Sequence, residues 1–438
     1  MTPFDPGLLP LATLLLILLA ALTVPLAAAV FFALAFLLFL NPQPLPDGFL
    51  SSYSLAMRLN SQALISTPLF ALAGELAVAA GITERLLRLV DALLCAGNHA
   101  IGKRAVAGCA LYATVSGVGQ AAVRECGKQL VPAMLKAGYK NSTAAALLAC
   151  AAATSIVIPA SIPLTIYAAT VGMQTNIVFT ASFVPGVFLA LLLYAAVAVH
   201  DRRNKYAAAT ATETFSTGKL RALKDARWSI ALPLLVLSFL FTGFLTAPEA
   251  AAFASAYAAL VGLFVHKQLD APQIRAAAVR AAVTASAVLL MAGIGGLAAG
   301  LLESAGVIDE LCRAVYSFAG GRVGSILFIN IILLLAGCVL DMPAIITLIA
   351  PLFIPLAAMC GMGLPQFGVM VVLNLAIGLV TPPQAYNLQT AADMTRAGMW
   401  QTARASIPFF AAMIICLGLV SYWPALSLWF PRFFGWAI

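Results

Sequence analysis

Apolar positions fill this chain in long unbroken runs rather than in stripes. Residues 66–80, 179–199, 228–245, 250–265, 276–302 and 407–426 hold few or no charges. About 20 such residues let an α-helix cross a hydrocarbon core of roughly 30 Å. The run 8–40 is 33 residues long, too long for one crossing, and Pro25 is expected to split it into two short or tilted segments. A Pro/Gly-rich loop, 41–48, follows. Residues 81–94 are amphipathic, with Arg85, Arg88 and Asp91, and predict an interfacial helix or a connecting arm. Thr246 and Glu249 have the spacing of a capping box that opens the 250–265 span. Gly293, Gly295 and Gly296 make the 276–302 helix one that a neighbour can approach closely.

Polar residues and helix breakers interrupt the runs at a few places. Residues 374–388 read NLAIGLVTPPQAYNL. A helix cannot pass intact through Pro382–Pro383, because proline lacks an N–H and clashes with the preceding turn. The carbonyls just upstream lose their partners, a state tolerated at membrane depth only where protein, water or an ion satisfies them. A broken helix of this kind is the usual ion and substrate site of a secondary transporter; the plainer reading is a Pro-kinked structural helix. A second break falls at 159–163, Pro-Ala-Ser-Ile-Pro. Residues 104–134 carry a central Ser116-Gly-Val-Gly-Gln120, which suits a re-entrant helical hairpin or a single span with a glycine kink. A second hairpin is expected over 323–355, with Gly337 and Asp341 near its tip. Glu75 sits within an apolar run, where a carboxylate marks either function or a structural pair.

The two halves resemble each other. Residues 80–88 align with 305–313 at an offset of 225, and Pro132 and Pro159 recur 223 positions later as Pro355 and Pro382. In this register Gly138 meets Gly361, Ser155 meets Gly378 and Ile158 meets Thr381. Lys103, Arg104, Lys136 and Lys140 flank the first hairpin, whereas only Arg322 flanks the second. Positive charge favours the cytoplasmic side, so the repeats are expected to be inverted, with the two tips meeting near the midplane.

Composition narrows the class. Of 438 residues, 63% are hydrophobic and 9% charged, which describes an all-α polytopic membrane protein. The net charge of +8 is then loop charge that sets orientation, not a nucleic-acid signal. The basic stretch 200–227 is expected in the cytoplasm as the boundary between halves, and its charge also suits a lipid or partner dock. No Lys or Arg precedes Arg58, so a signal peptide's basic leader is missing. The eight Cys form no CxxC pair and the three His show no paired spacing, so neither a metal site nor an enzyme's nucleophile–base set is expected. Trp423, Trp429 and Trp436 with Phe430, Phe433 and Phe434 suit an interfacial aromatic belt.

With these motifs in place, the chain resembles the large, DctM-type membrane subunit of tripartite ATP-independent periplasmic (TRAP) transporters. The resemblance runs through PLFALAGEL (68–76), LVPAMLKAGY (130–139), IPASIP (158–163), APEAAA (247–252), VMVVLNLAIGLVTPPQAYNL (369–388) and YWPALSLWFP (422–431). It implies an elevator-type carrier in the bacterial inner membrane, coupled to a sodium gradient, with no cofactor and no metal beyond sodium. Two hairpins and two broken helices would move within a scaffold. Its implied partners are a separate small four-helix membrane subunit and a periplasmic binding protein that delivers an organic anion, such as a C4-dicarboxylate or a sugar acid. Carried over by motif, one cation site would use Ser116, Ser155, Ile158 and Ala160, and the other Gly337, Leu340, Gly378, Thr381 and Gln384. Gln120, Arg124, Ser161, Asp341 and Asn387 are candidates for substrate contact or coupling; alternatively Arg124 pairs with Glu125 or lies at a helix end. The first half departs from the family pattern: its hairpin lacks the usual Asp and carries Arg124, Glu125 and Lys128. The resulting division is N-terminal scaffold 1–60, first repeat 61–199, basic loop 200–227, scaffold 228–275, and second repeat with the last span 276–438. A stand-alone elevator carrier, and a transport-inactive scaffold derived from the family, remain as alternatives.

Overall fold

The computed structural model describes residues 11, 14–15, 18–19, 26–40, 62–94, 101–204, 219–304 and 307–436. Among them there is helix and no strand. Helix α1 spans Leu26–Leu40; the expected split at Pro25 and the loop 41–48 lie outside the described residues. Then come α2 (Gln62–Ala79), α3 (Ile82–Leu94), α4 (Ile101–Ser116), α5 (Gly119–Lys136), α6 (Asn141–Ala152), α7 (Ile162–Thr170) and α8 (Thr175–Asn204). The second half brings α9 (Lys219–Thr242), α10 (Ala247–Leu260), α11 (Ala271–Ser304), α12 (Val307–Phe318) and α13 (Arg322–Val339). It ends with α14 (Met342–Met359), α15 (Leu364–Gly378), α16 (Tyr386–Thr395), α17 (Met399–Tyr422) and α18 (Ala425–Phe433). Eight of these helices, α2, α8, α9, α10 with its π-turn to Val265, α11, α13, α14 and α17, are long and apolar enough to cross a membrane.

Two apolar helices are shorter. Asn141–Ile156 and Leu364–Gly378 reach only about 22–24 Å at 1.5 Å per residue, less than a bilayer core. They sit at the centre of the molecule: every residue of 143–152 and of 365–378 is buried. The Ala-rich sequence of α6 allows its neighbours to come close. Amides tie α15 in place. Asn374 Nδ2 donates to Asn330 Oδ1 at 2.8 Å, Asn330 Nδ2 donates to Ser421 Oγ at 3.0 Å, and Gln366 Nε2 donates to the Val420 carbonyl at 3.0 Å.

A short turn leads into each of these helices, and the two turns are hydrogen-bonded alike. Ala137, Gly138 and Tyr139 donate their N–H groups to the carbonyls of 133, 135 and 134; Cys360, Gly361 and Met362 donate to those of 356, 358 and 357, each pair 223 positions apart. Gly138 (φ +89°) and Gly361 (φ +67°) take the left-handed position that ends a helix in this motif. Further on, Val157 donates to Thr154 and Val380 to Ile377, again 223 apart.

Several helix limits differ from the sequence expectation. The basic stretch 200–227 is not one loop. Helix α8 continues through Arg202 and Arg203 to Asn204, and α9 already holds Arg221, Lys224 and Arg227. Charge does not stop a helix once its turns project into water. The last span is α17, which starts eight residues before the expected 407 because Pro408 is accommodated within it, and it stops at Tyr422 ahead of Pro424. The aromatic tail forms its own helix, α18. Phe430 packs on Phe183 and Phe241, each at 5.1 Å, while Trp429 and Phe433 face outward. The capping box is present: Thr246 N–H and Oγ1 both donate to Glu249 Oε2 at 2.8 Å, so α10 begins at Ala247. Gly295 provides the expected close approach, since a Cβ there would lie 2.1 Å from Thr347 Oγ1 on α14.

Candidate functional site

The first turn follows Ser116. Gly117 adopts φ +61°, Val118 is extended, and a new helix starts at Gly119. The two arms fold back and pack on each other, with Cys109 and Cys126 both fully buried. This helix–turn–helix, not a kinked single helix, is what the Ser116–Gln120 interruption produces. The turn rests on the break between α6 and α7. A Cβ on Gly117 would lie 2.0 Å from the Ala160 carbonyl oxygen, and Ala160 itself is held at φ +77°, a region that L-residues rarely occupy. Ser116 and Ala160 are thus brought together. Ser155 and Ile158 lie on the same break, both buried, and Ser155 Oγ donates to the Ala152 carbonyl at 2.6 Å. Ser161 is committed to the backbone: its hydroxyl donates to the Ile156 carbonyl and caps α7 by accepting from Leu164 N at 3.4 Å.

The second turn, Leu340–Asp341, rests on the break between α15 and α16 in a related way. A Cβ on Gly378 would lie 2.6 Å from the Gly337 carbonyl oxygen and 2.9 Å from Gly337 Cα. Gln384 N donates to the Cys338 carbonyl at 3.1 Å, and Tyr386 OH donates to Asp341 Oδ1 at 2.7 Å. Thr381 Oγ1 donates to the Ile377 carbonyl at 2.7 Å. Gly337, Gly378, Thr381, Gln384 and Asp341 therefore share one locus, with half-buried Leu340 in the turn. Asn387 joins the two loci. It is fully buried, its Nδ2 lies 3.4 Å from the Ala149 carbonyl on α6, and its Oδ1 is 2.8 Å from where a Gly119 Cβ would stand.

Three buried amide oxygens around the second break, Gln384 Oε1, Asn387 Oδ1 and Asn374 Oδ1, have no hydrogen-bond partner among the described residues. A buried acceptor left unpaired is costly. An all-oxygen set of amides, hydroxyls and freed carbonyls matches the preference of a hard cation such as sodium. The sequence reading passed over Asn374 and its partner Asn330; the signal was there, since each is an amide inside an otherwise apolar helix. Tyr386 stands out from sequence as a polar residue beyond the break but not as a site residue, because its value lies in reaching Asp341 across 45 positions of chain.

Beside the first turn opens a cavity of about 670 Å³, bounded by α2, α4, α5 and α11. Ser116, Gln120 and Arg124 line it; Ser161, Asp341 and Asn387 do not. Glu75 faces the same space and accepts from Arg280 Nε at 2.6 Å. The Arg124–Glu125 pair does not form. Glu125 binds Lys128 at 2.7 Å, one turn further on, and Arg124 Nη2 donates to Gln120 Oε1 at 3.3 Å. At i, i+1 on a helix two side chains diverge, whereas i, i+3 and i, i+4 partners meet.

Span-length helices packed around two shorter, fully buried ones define a polytopic membrane protein. Residues 13–426 match the family model described as the tripartite ATP-independent periplasmic transporter, DctM component. The chain belongs to that family. It is a multi-pass protein of the bacterial inner membrane and a transporter permease rather than an enzyme. It is 29% identical over 372 residues to the C4-dicarboxylate TRAP transporter large permease protein DctM of Pseudomonas aeruginosa, covering 85% of this chain and 87% of the relative. An isethionate TRAP transporter permease protein, DctMQ, of Oleidesulfovibrio alaskensis is also 29% identical over 85% of this chain, but the match spans 58% of that longer protein. The sialic acid TRAP transporter permease protein SiaT of Haemophilus influenzae is 27% identical over 86% of this chain and 61% of its own length. Large permeases of this family work with a substrate-binding protein and a small membrane subunit.

Proposed function

We propose that this chain is the large membrane subunit of a sodium-coupled TRAP transporter. It imports an organic anion, a C4-dicarboxylate or a sugar acid, delivered by a periplasmic binding protein, and it works together with a small membrane subunit. The two helix–turn–helix units act as re-entrant hairpins, and the halves are inverted repeats related by the 223-residue offset. The hairpins and broken helices move together as an elevator against the remaining helices. The observation that carries this reading is the seating of each turn on a helix break, Gly117 on Ala160 and Gly337 on Gly378, with unpaired buried amide oxygens beside the second. Each contact gathers carbonyls freed by the breaks, which is the arrangement by which secondary transporters ligate a coupling cation. We assign Ser116, Ser155, Ile158 and Ala160 to one cation site, and Gly337, Leu340, Gly378, Thr381 and Gln384 to the other.

The test is uptake of labelled organic acids into proteoliposomes that hold this chain with its small subunit, with the binding protein supplied outside. Uptake is expected only with an inward sodium gradient and only with the binding protein. Uptake without the binding protein would instead indicate a stand-alone carrier.

A further inference from the structure

We infer that the cavity beside the first turn takes an acid with a single negative charge, a monocarboxylate or a sulfonate, in preference to a dicarboxylate. The inference rests on the transport reading above and narrows its substrate class. The volume of about 670 Å³ is in the range of small-molecule sites. One face each of three helices supplies the charged lining: Glu75 from α2, Arg124, Glu125 and Lys128 from α5, and Arg280 from α11.

These are three cations and two carboxylates, and both carboxylates are taken. Glu75 is paired with Arg280 at 2.6 Å and Glu125 with Lys128 at 2.7 Å. Arg124 is the cation left over. Among the described residues it makes no ion pair, and its side-chain hydrogen bond goes to the neutral amide of Gln120 at 3.3 Å. A guanidinium offers a planar fork that matches one carboxylate or sulfonate through two parallel hydrogen bonds. A second anionic group on the same ligand finds no free cation. It must either displace Glu75 or Glu125 from its partner or stand beside them as a like charge. Apolar Val118 and Val283 on the same wall suit an uncharged remainder.

The experiment is thermal unfolding of the purified chain with its small subunit, in detergent with sodium at neutral pH. The probes are three singly charged acids, gluconate, isethionate and N-acetylneuraminate, and three doubly charged ones, succinate, malate and 2-oxoglutarate. At least one singly charged acid is expected to raise the midpoint with half-saturation about tenfold below that of any dianion. Arg124→Gln removes that shift and Arg124→Lys keeps part of it, while both retain the ligand-free midpoint. Glu75→Gln, which frees Arg280, brings the dianions to within about threefold of the best monoanion. Dianions that stabilise equally or better, no stabilisation by any of the six, or a monoanion shift that survives Arg124→Gln would each overturn the inference. The two readings fail separately. Dianion preference with sodium-driven uptake intact removes only the single-charge preference; this binding pattern without sodium-driven uptake removes only the transport reading.

Discussion

Gly378→Ala tests the turn-on-break contact to which the proposed sodium coupling is assigned. The added Cβ would stand 2.6 Å from the Gly337 carbonyl oxygen, where ordinary contact begins at 3.4 Å, so the turn and the broken helix must separate by about 0.8 Å. Both neighbours are backbone, which cannot swing aside as a side chain can. Overpacking of this size costs roughly 1–3 kcal/mol. A coupling energy of that magnitude corresponds to a loss of about 5- to 150-fold in cation affinity. The reverse substitution is a demanding control: a Cβ on Gly337 would meet Gly378 Cα at 3.5 Å, an ordinary contact, so Gly337→Ala is expected to be nearly silent. Gly418→Ala, with nothing within 4 Å, controls for a generic glycine effect. The assay is the sodium dependence of substrate uptake, read beside the unfolding midpoint. A Gly378→Ala protein with the wild-type sodium half-saturation refutes the reasoning. So does a Gly337→Ala protein impaired to the same degree.

Four further outcomes are expected. Gly117→Ala combines a left-handed φ of +61° with a carbonyl oxygen 2.0 Å away; it should abolish uptake while protein purified from the membrane fraction keeps the wild-type size-exclusion profile. Tyr386→Phe removes the 2.7 Å hydrogen bond to Asp341, and a bond to a charged group, worth ~1.5–3 kcal/mol when well buried, is half-exposed here, so sodium half-saturation should rise by at most about tenfold; Asp341→Asn should also shift it, and an unshifted curve removes Asp341 from coupling. In a background without native cysteines, Lys103→Cys and Lys136→Cys should react with an impermeant thiol reagent from the cytoplasmic side, and Arg322→Cys and Met359→Cys from the opposite side; labelling of all four from one side contradicts inversion.

Much of this arrangement was legible because helix breakers are local. Pro382–Pro383, Pro159 with Pro163, and Ser116–Gln120 each locate an interruption from sequence alone, and the interruptions fall where the helices end. The register that pairs Pro132 with Pro355 and Pro159 with Pro382 also pairs Gly138 with Gly361, and each of these glycines lies in a short helix-ending turn. What could not be read is long-range partnership. Nothing near Glu75 points to Arg280, 205 positions away, and nothing near Asp341 points to Tyr386. Helix ends at charged segments were misplaced for a different reason. Arg202 and Arg221 are good helix formers, so the polarity that marks the membrane's edge does not mark the helix's end.

Coupling itself is tested most directly by co-flux. Proteoliposomes with this chain, its small subunit and an external binding protein loaded with substrate would be given radioactive sodium, and sodium and acid entry would be counted in the same vesicles. The two cation sites assigned to the turn-on-break contacts predict that sodium enters with the acid in a fixed ratio, that entry of both requires all three proteins, and that Gly378→Ala lowers both together. Acid entry at an undiminished rate without sodium would contradict the assignment.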